Sequence, residues 1–275
     1  MSMKSPLVLL TLSIVTIAYT QDSSVPKGAP QNFIETEIYS QEDNDRILTL
    51  YQGLRVADVS DGMDLVGLAD TGLVDPAIHP DWVDRSDLSH IIRGIAVTAR
   101  YVPTQQRAGP EPGQDFDKWV GNTYWKRTGE PFVEHLFPGA VLVLDDVETA
   151  DVGTIGSNNI MLWVDHGAVG VVTDASARDT DEIAIQKVPL YLRQKGRGIR
   201  PGRNEMESIN RPVVIGGVLV RPGDVIVADG DGVIVVPRQH AQKVAEYAHG
   251  VLDTDKAQRL ELYKKLGLPI DQTVE

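Results

Sequence analysis

Residues 140–183 read AVLVLDDVETADVGTIGSNNIMLWVDHGAVGVVTDASARDTDEI, and this stretch decides the fold. Residues 140–144 (AVLVL) and 168–173 (AVGVVT) are short continuous apolar runs, as expected of strands buried on both faces. Between them, Ile160, Met161, Trp163 and Val164 recur at helical spacing over 157–166, and the pattern stops at Gly167, a C-terminal glycine signal. Strand, helix and strand within about 35 residues make a βαβ unit with a parallel pair. Downstream, 213–220, 225–228 and 233–236 read as further short strands. Gly216-Gly217, Pro222-Gly223-Asp224 and Gly230-Asp231-Gly232 mark turns or bulges that favour antiparallel pairing. Upstream, 91–102 is strand-like, with Gly94 as a bulge or a close backbone approach. Helical spacing is read at 44–54, from Ser60-Asp61 through Leu65 and Leu68, and in two closing segments, 239–251 and 253–266. The expected architecture is a mixed α/β domain with helices at both ends.

The 275 residues carry 26 Lys+Arg against 39 Asp+Glu, and the formal charge of −13 argues against a nucleic-acid binder, which needs a basic face. With no cysteine there is no disulfide framework, thiolate nucleophile or Cys-based zinc site. The six His show no ligand spacing such as H-E-x-x-H, so any metal is expected on carboxylates. Residues 1–20 read as a secretory signal peptide, with a basic start, an apolar run over 6–18 and small residues at Ala18 and Thr20. That run is shorter than the roughly 20 residues of a membrane span, so no stable membrane anchor is expected after cleavage. The protein is expected to be exported, either periplasmic or secreted. Residues 21–42 read as a linker or extended arm, and 43–275 as one domain with an insert at 103–138 rich in Pro, Trp, Tyr and Phe.

In such sheets, ligands bind beyond the carboxyl ends of parallel strands. Two loops qualify. The first, 145–156, ends in Gly153-x-x-Gly156 before the helix at Ser157, and its amides suit an anion. It is neither a dinucleotide fingerprint nor a Walker loop. The second, 174–182, carries Arg178 beside Asp179, a planar cationic fork next to a hard oxygen ligand. Asp179 followed by Glu182 also matches a helix N-cap box, which would make it structural. Residues 187–211 hold seven basic and two acidic residues, read as a solvated or subunit-pairing stretch, or as a lure for a polycarboxylate.

The stretches 156–183 (GSNNIMLWVDHGAVGVVTDASARDTDEI) and 212–237 (PVVIGGVLVRPGDVIVADGDGVIVVP) resemble the RraA-like family, which includes the class II 4-hydroxy-4-methyl-2-oxoglutarate and 4-carboxy-4-hydroxy-2-oxoadipate aldolases. The specific elements are Arg178-Asp179-x-x-Glu182 and the PGD…DGVIVVP tail, and the likeness extends from about Ile47 to Leu266. The resemblance implies a layered α/β/β/α fold with mixed sheets, assembled as a homotrimer or homohexamer. It implies that Asp179 is the ligand of a divalent metal, Mg2+ or Mn2+. Arg178 would contact pyruvate and stabilise its enolate, and the amides near Thr154, Ile155 and Gly156 would hold its carboxylate. Two departures stand out. Where family aldolases have an Asp that orients a water at the metal, this chain has Ser157, and the C-terminal Glu of a neighbouring subunit has Asp253 or Asp255 as candidates. Asp145, Asp146, Glu148 and Glu182 are further carboxylates for the metal's outer shell.

The expected function is therefore a metal-dependent lyase on a 2-oxo acid, by retro-aldol cleavage releasing pyruvate or by decarboxylation of an oxaloacetate-type substrate. The insert at 103–138 is expected either over the site, shifting substrate preference, or packed against a neighbouring subunit or the N-terminal arm. The alternative is an exported, non-catalytic RraA-like binding or regulatory protein. The methyltransferase label sometimes attached to the family has no adenosylmethionine loop here to support it.

Overall fold

The structure is a computed structural model that describes residues 26, 28–146 and 151–275. The expected signal peptide at 1–20 lies outside the described residues. The chain divides into two compact units, Met1–Glu35 and Thr36–Glu275. In the first, the described residues form neither helix nor strand. No helix among the described residues is long and apolar enough to cross a membrane.

The second unit runs α1 (Gln41–Leu50), α2 (Val56–Leu65), β1 (His79–Pro80), β2 (Ile92–Pro103), α3 (Phe116–Thr123), β3 (Ala140–Asp145), β4 (Gly153–Ile155), α4 (Ser157–Asp165), β5 (Ala168–Thr173), β6 (Ser176–Ala177), α5 (Thr180–Ile185), β7 (Leu190–Leu192), β8 (Gln194–Lys195), β9 (Asn204–Ile209), β10 (Val213–Ile215), β11 (Val218–Val220), β12 (Val225–Asp229), β13 (Gly232–Val236) and α6 (Ala241–Leu266). The main sheet has the order β1-β7-β5-β3-β2-β12-β13, with β9 also on β2. Its centre, β7-β5-β3-β2, is parallel, and β1, β9, β12 and β13 join antiparallel. The βαβ unit expected at 140–173 is thus β3-α4-β5, as the two apolar runs require.

Alternation along the strands explains the layers. Leu142 and Leu144 of β3 point into one core with Ile160 and Trp163 of α4 and Ile183 of α5. On the same side, Val225 and Val227 meet Ile47, Val59, Met63 and Val244 from α1, α2 and α6. Val141 and Val143 point the opposite way, to Val213, Ile215, Val218 and Val220 of the β10–β11 hairpin. Helices therefore cover one face and a hairpin the other, the mixed layered arrangement expected.

Several boundaries differ from the expectation. Helix α1 begins at Gln41, inside the expected arm, because Ser40 accepts the Asp43 N–H as its N-cap. Helix α2 begins at Val56 rather than Ser60. Its first turn is closed by Arg55 and Asp58, whose carboxylate takes the Arg55 N–H at 2.9 Å, a cap with no Ser or Thr to signal it. The run 213–220 is two strands joined at Gly216-Gly217, both with positive φ. The two closing helices are one helix, α6, since Leu252 is buried among α2 partners and no proline interrupts the segment. Its C-terminal half has no buried residue, and residues 269–275 fold back along it, with Arg259 donating to Thr273 O and Lys256 to Glu275 O. The insert is no mere cover loop. It holds α3, a π-helical turn at Tyr124–Thr128 and a 3-10 turn at Pro131–His135, pinned by Phe132 packed edge-on to Trp163.

Gly94 is a close approach rather than a bulge, since the irregularity of β2 falls between Arg100 and Tyr101. A Cβ at Gly94 would collide with Val141 and lie 2.8 Å from Gly139 O and 3.1 Å from Val169 Cγ2. Gly94→Ala is expected to destabilise the protein by about 1–3 kcal/mol, read from the urea midpoint. An unchanged midpoint would show that the β2–β3 crossing has slack.

Candidate active site

The short strands β4, β6 and β8 form a parallel sheet of their own. Gly153 pairs with Ser176 and Ile155 with Ala177, so 153–156 lies alongside 176–179, and the Arg178 N–H donates to Ile155 O at 2.8 Å. The two loops singled out in the sequence therefore meet through backbone pairing.

Asp179 has left-handed backbone, φ 57 and ψ 31, a conformation that Asp tolerates better than most residues. The N-cap reading fails for its side chain, which makes no cap bond to α5; its carbonyl takes the Glu182 and Ile183 N–H groups instead. Its carboxylate points to α4, where Oδ2 accepts the Ser157 N–H at 3.3 Å. Negative charge at a helix start is favourable because the first amides lack intrahelical partners. Arg178 Nε lies 3.8 Å from the same oxygen, and both side chains stay open to solvent at 38% and 41%.

The glycines have a role the sequence reading did not assign. A Cβ at Gly153 would sit 2.7 Å from Arg178 Cβ, and one at Gly156 would sit 2.9 Å from Asp179 Oδ2. Each glycine of the G-x-x-G makes room for one member of the Arg-Asp pair. Ser157 completes the group, its hydroxyl donating to Glu182 Oε2 at 2.5 Å. Arg178, Asp179, Gly156, Ser157 and Glu182 thus converge.

Other candidates have other partners. The Thr154 amide is committed to Val152 O at 2.8 Å, so it does not serve as the carboxylate donor expected of it. Its hydroxyl donates to buried Asp146, whose carboxylate also takes Asn204 Nδ2 at 2.9 Å. Asp146 is bound into this core network rather than shared with Asp179. Ile155 gives its carbonyl to Arg178. Asp255 faces Arg55 at 3.9 Å. Glu148 lies outside the described residues. Much of the basic stretch is paired within the chain, Lys187 with Asp84 and Asp87, Arg193 with Asp75, Lys195 with Asp81 and Arg197 with Asp151, which weakens it as a lure for a polycarboxylate.

Sequence reasoning missed Asn159. A Cβ at Gly156 would lie 3.3 Å from Asn159 Oδ1, beside Asp179. The available signal was an amide in the first turn of α4, where it reaches the same loop as the glycine before it. Among the described residues no three His, Asp or Glu side chains converge as a metal cage. The donor set nonetheless fits Mg2+, which keeps most of its water and takes one or two carboxylates. Asp179 would supply one, in a cradle that a single methyl at Gly156 would fill.

The chain is similar to several known proteins. A Halalkalibacterium halodurans protein provisionally named 4-hydroxy-4-methyl-2-oxoglutarate aldolase is 31% identical over 121 residues, 44% of this chain and 57% of that protein. The chain matches less than two thirds of the length of this and other curated relatives. A crystal structure of an uncharacterized Pseudomonas syringae protein superimposes with a TM-score of 0.62 at 25% identity, covering 84% of this chain and 98% of that one. Streptomyces coelicolor RraAS2, described as an unusual member of the RNase ES inhibitor RraA protein family, shares the fold with a TM-score of 0.62 at 22% identity, covering 82% of this chain and 99% of that one. The family model described as RraA-like, Aldolase/RraA, matches residues 56–235, and the chain belongs to that family.

Proposed function

We propose that this chain is a divalent-metal-dependent carbon–carbon lyase acting on a small 2-oxo acid, exported and assembled as a homotrimer or homohexamer. The observation that carries the reading is the Arg178–Asp179 pair, with Asp179 on left-handed backbone and the two side chains accommodated by Gly153 and Gly156. A structural ion pair needs no such cradle. The aldolase name of a relative at 31% identity supports the reaction class.

Asp179 would hold Mg2+ or Mn2+, which when bound supplies Lewis-acid polarisation of the ketone oxygen. Arg178 orients the 2-oxo acid and places its guanidinium where negative charge grows on that oxygen. In retro-aldol cleavage the substrate hydroxyl loses its proton and the bond between C3 and C4 breaks. The electron pair then moves onto C3 to give the pyruvate enolate. Protonation at C3 yields pyruvate, and loss of carbon dioxide from an oxaloacetate-type acid reaches the same enolate. Ser157, held by Glu182 at 2.5 Å, stands where related aldolases have an Asp, and Glu182 would receive the hydroxyl proton through it.

Ser157 also favours a second reading, a binding protein of the same fold without turnover. A pyruvate-release assay over a panel of 2-oxo acids with Mg2+ or Mn2+ separates the two, and no pyruvate from any acid leaves the binding reading.

Asp179→Asn keeps a residue tolerated in left-handed backbone while removing the charge, and Gly156→Ala crowds the carboxylate. Both are expected to abolish metal-dependent turnover with the far-UV spectrum retained. Full activity in either variant would remove Asp179 from the site. Arg178→Lys is expected to lose about 100-fold in kcat, because an ammonium cannot reproduce the planar fork. Equal rates in steady-state assays would refute its role. Glu182→Gln is expected to lower kcat with KM near wild type; an unchanged kcat in steady-state assays would place the proton acceptor elsewhere.

A further inference from the structure

The insert carries a buried polar cluster that ends at the candidate site. Glu130 and Arg200 form an ion pair with side chains only 6% and 4% exposed. Arg200 also donates to Tyr101 OH at 2.7 Å and Tyr124 OH at 3.1 Å, and its guanidinium lies 5.0 Å from the Tyr124 ring centre. Burial opposes the Arg200 charge, but Tyr101, Glu130 and Tyr124 outweigh it and hold its pKa above the ordinary guanidinium value. Glu130 then uses both oxygens on α4. Oε1 accepts Asn159 Nδ2 at 2.5 Å, and Oε2 accepts Trp163 Nε1 at 2.8 Å.

An ionised carboxylate only accepts hydrogen bonds, so Asn159 must turn its NH2 toward Glu130. The opposite end of the amide, Oδ1, is thereby fixed on the side of Gly156, where a Cβ would lie 3.3 Å from it and 2.9 Å from Asp179 Oδ2. Two oxygens of different residues thus flank the same small space. A hydrogen bond to Glu130 also polarises the amide and makes Oδ1 a stronger donor to a cation.

The geometry points to Asn159 as a second oxygen contact of the divalent cation, directly or through one of its waters, with Glu130 of the insert as the positioning residue that fixes its amide. This rests on the reading of Asp179 as the cation's ligand. It gives the insert a part in metal affinity, distinct from any effect on which 2-oxo acid is accepted.

The test is Mn2+ binding to the full chain without substrate, followed by electron paramagnetic resonance, with Asp179→Asn as the reference. Asn159→Ala is expected to weaken Mn2+ about tenfold or more, with melting temperature and far-UV spectrum near wild type. Glu130→Gln is expected to weaken it as well, and the double variant Glu130→Gln/Asn159→Ala to bind no worse than Asn159→Ala alone. If Glu130→Gln fails to fold, because Arg200 is left buried without its carboxylate, Asn159→Ala still decides. Loss of binding in Asp179→Asn with wild-type affinity in Asn159→Ala overturns the inference and leaves the site reading standing. Additive losses in the double variant overturn the positioning role of Glu130. A wild-type chain that binds no Mn2+ overturns both.

Discussion

The contact on which the site depends joins the Asp179 carboxylate to the first amide of α4. It links two elements separated by a strand, and it requires three local conditions at once. The backbone at 179 must be left-handed, Gly156 must lack a side chain, and β4 must pair with β6 in its observed register. Left-handed backbone costs a non-glycine residue roughly 1–2 kcal/mol. A carboxylate at a helix start returns about 0.3–1 kcal/mol. The balance is close to neutral or slightly unfavourable, so the arrangement is not explained as a stabilising device. Strain that stability does not repay is common where a side chain must be aimed.

How much of this was legible in the sequence depended on the range of the interaction. The runs 140–144 and 168–173 announce strands of the sheet interior, because they are apolar but for the closing Thr173, and the parallel pair follows. Arg178 and Asp179 were visible as an unusual pair at a strand end. The orientation of Asp179 was not, because an Asp followed by a Glu three residues later has the same pattern whether its side chain caps α5 or α4. Only tertiary pairing of β4 with β6 decides that. The start of α2 was missed because its cap is an Arg–Asp pair, outside the usual set of short polar caps. The roles of Thr154 and Asp146 were unreadable for a similar reason: Asn204, about fifty residues on, draws both into the core, as the bond from Asn204 to Asp146 shows.

Charge tells a comparable story at the level of the whole chain. The cluster of basic residues over 187–211 stands out in a chain of net −13, yet Lys187, Arg193, Lys195, Arg197 and Arg200 each pair with acidic residues far away in sequence. Most of these pairs are partly exposed and contribute little to stability. Arg200 differs, because it is buried with Glu130, and removing either partner alone would strand a charge in the interior. The Pro- and aromatic-rich insert is therefore bound to the body of the protein by a polar core as well as by the Phe132–Trp163 contact.

Helix α6 is one element in geometry and two in resistance to opening. Its buried residues, Ala241, Val244, Ala245, Ala248 and Leu252, all belong to the first half, so that half can unravel only together with α2 and the sheet. Beyond Leu252 the helix rests on the returning segment 269–275, which in turn rests on the helix through Arg259, Lys256 and Tyr263. Two segments that support mainly each other form a small cooperative unit, able to open and reclose without disturbing the core. The border of that unit falls at Leu252, where hydrophobic spacing alone already divides the segment in two.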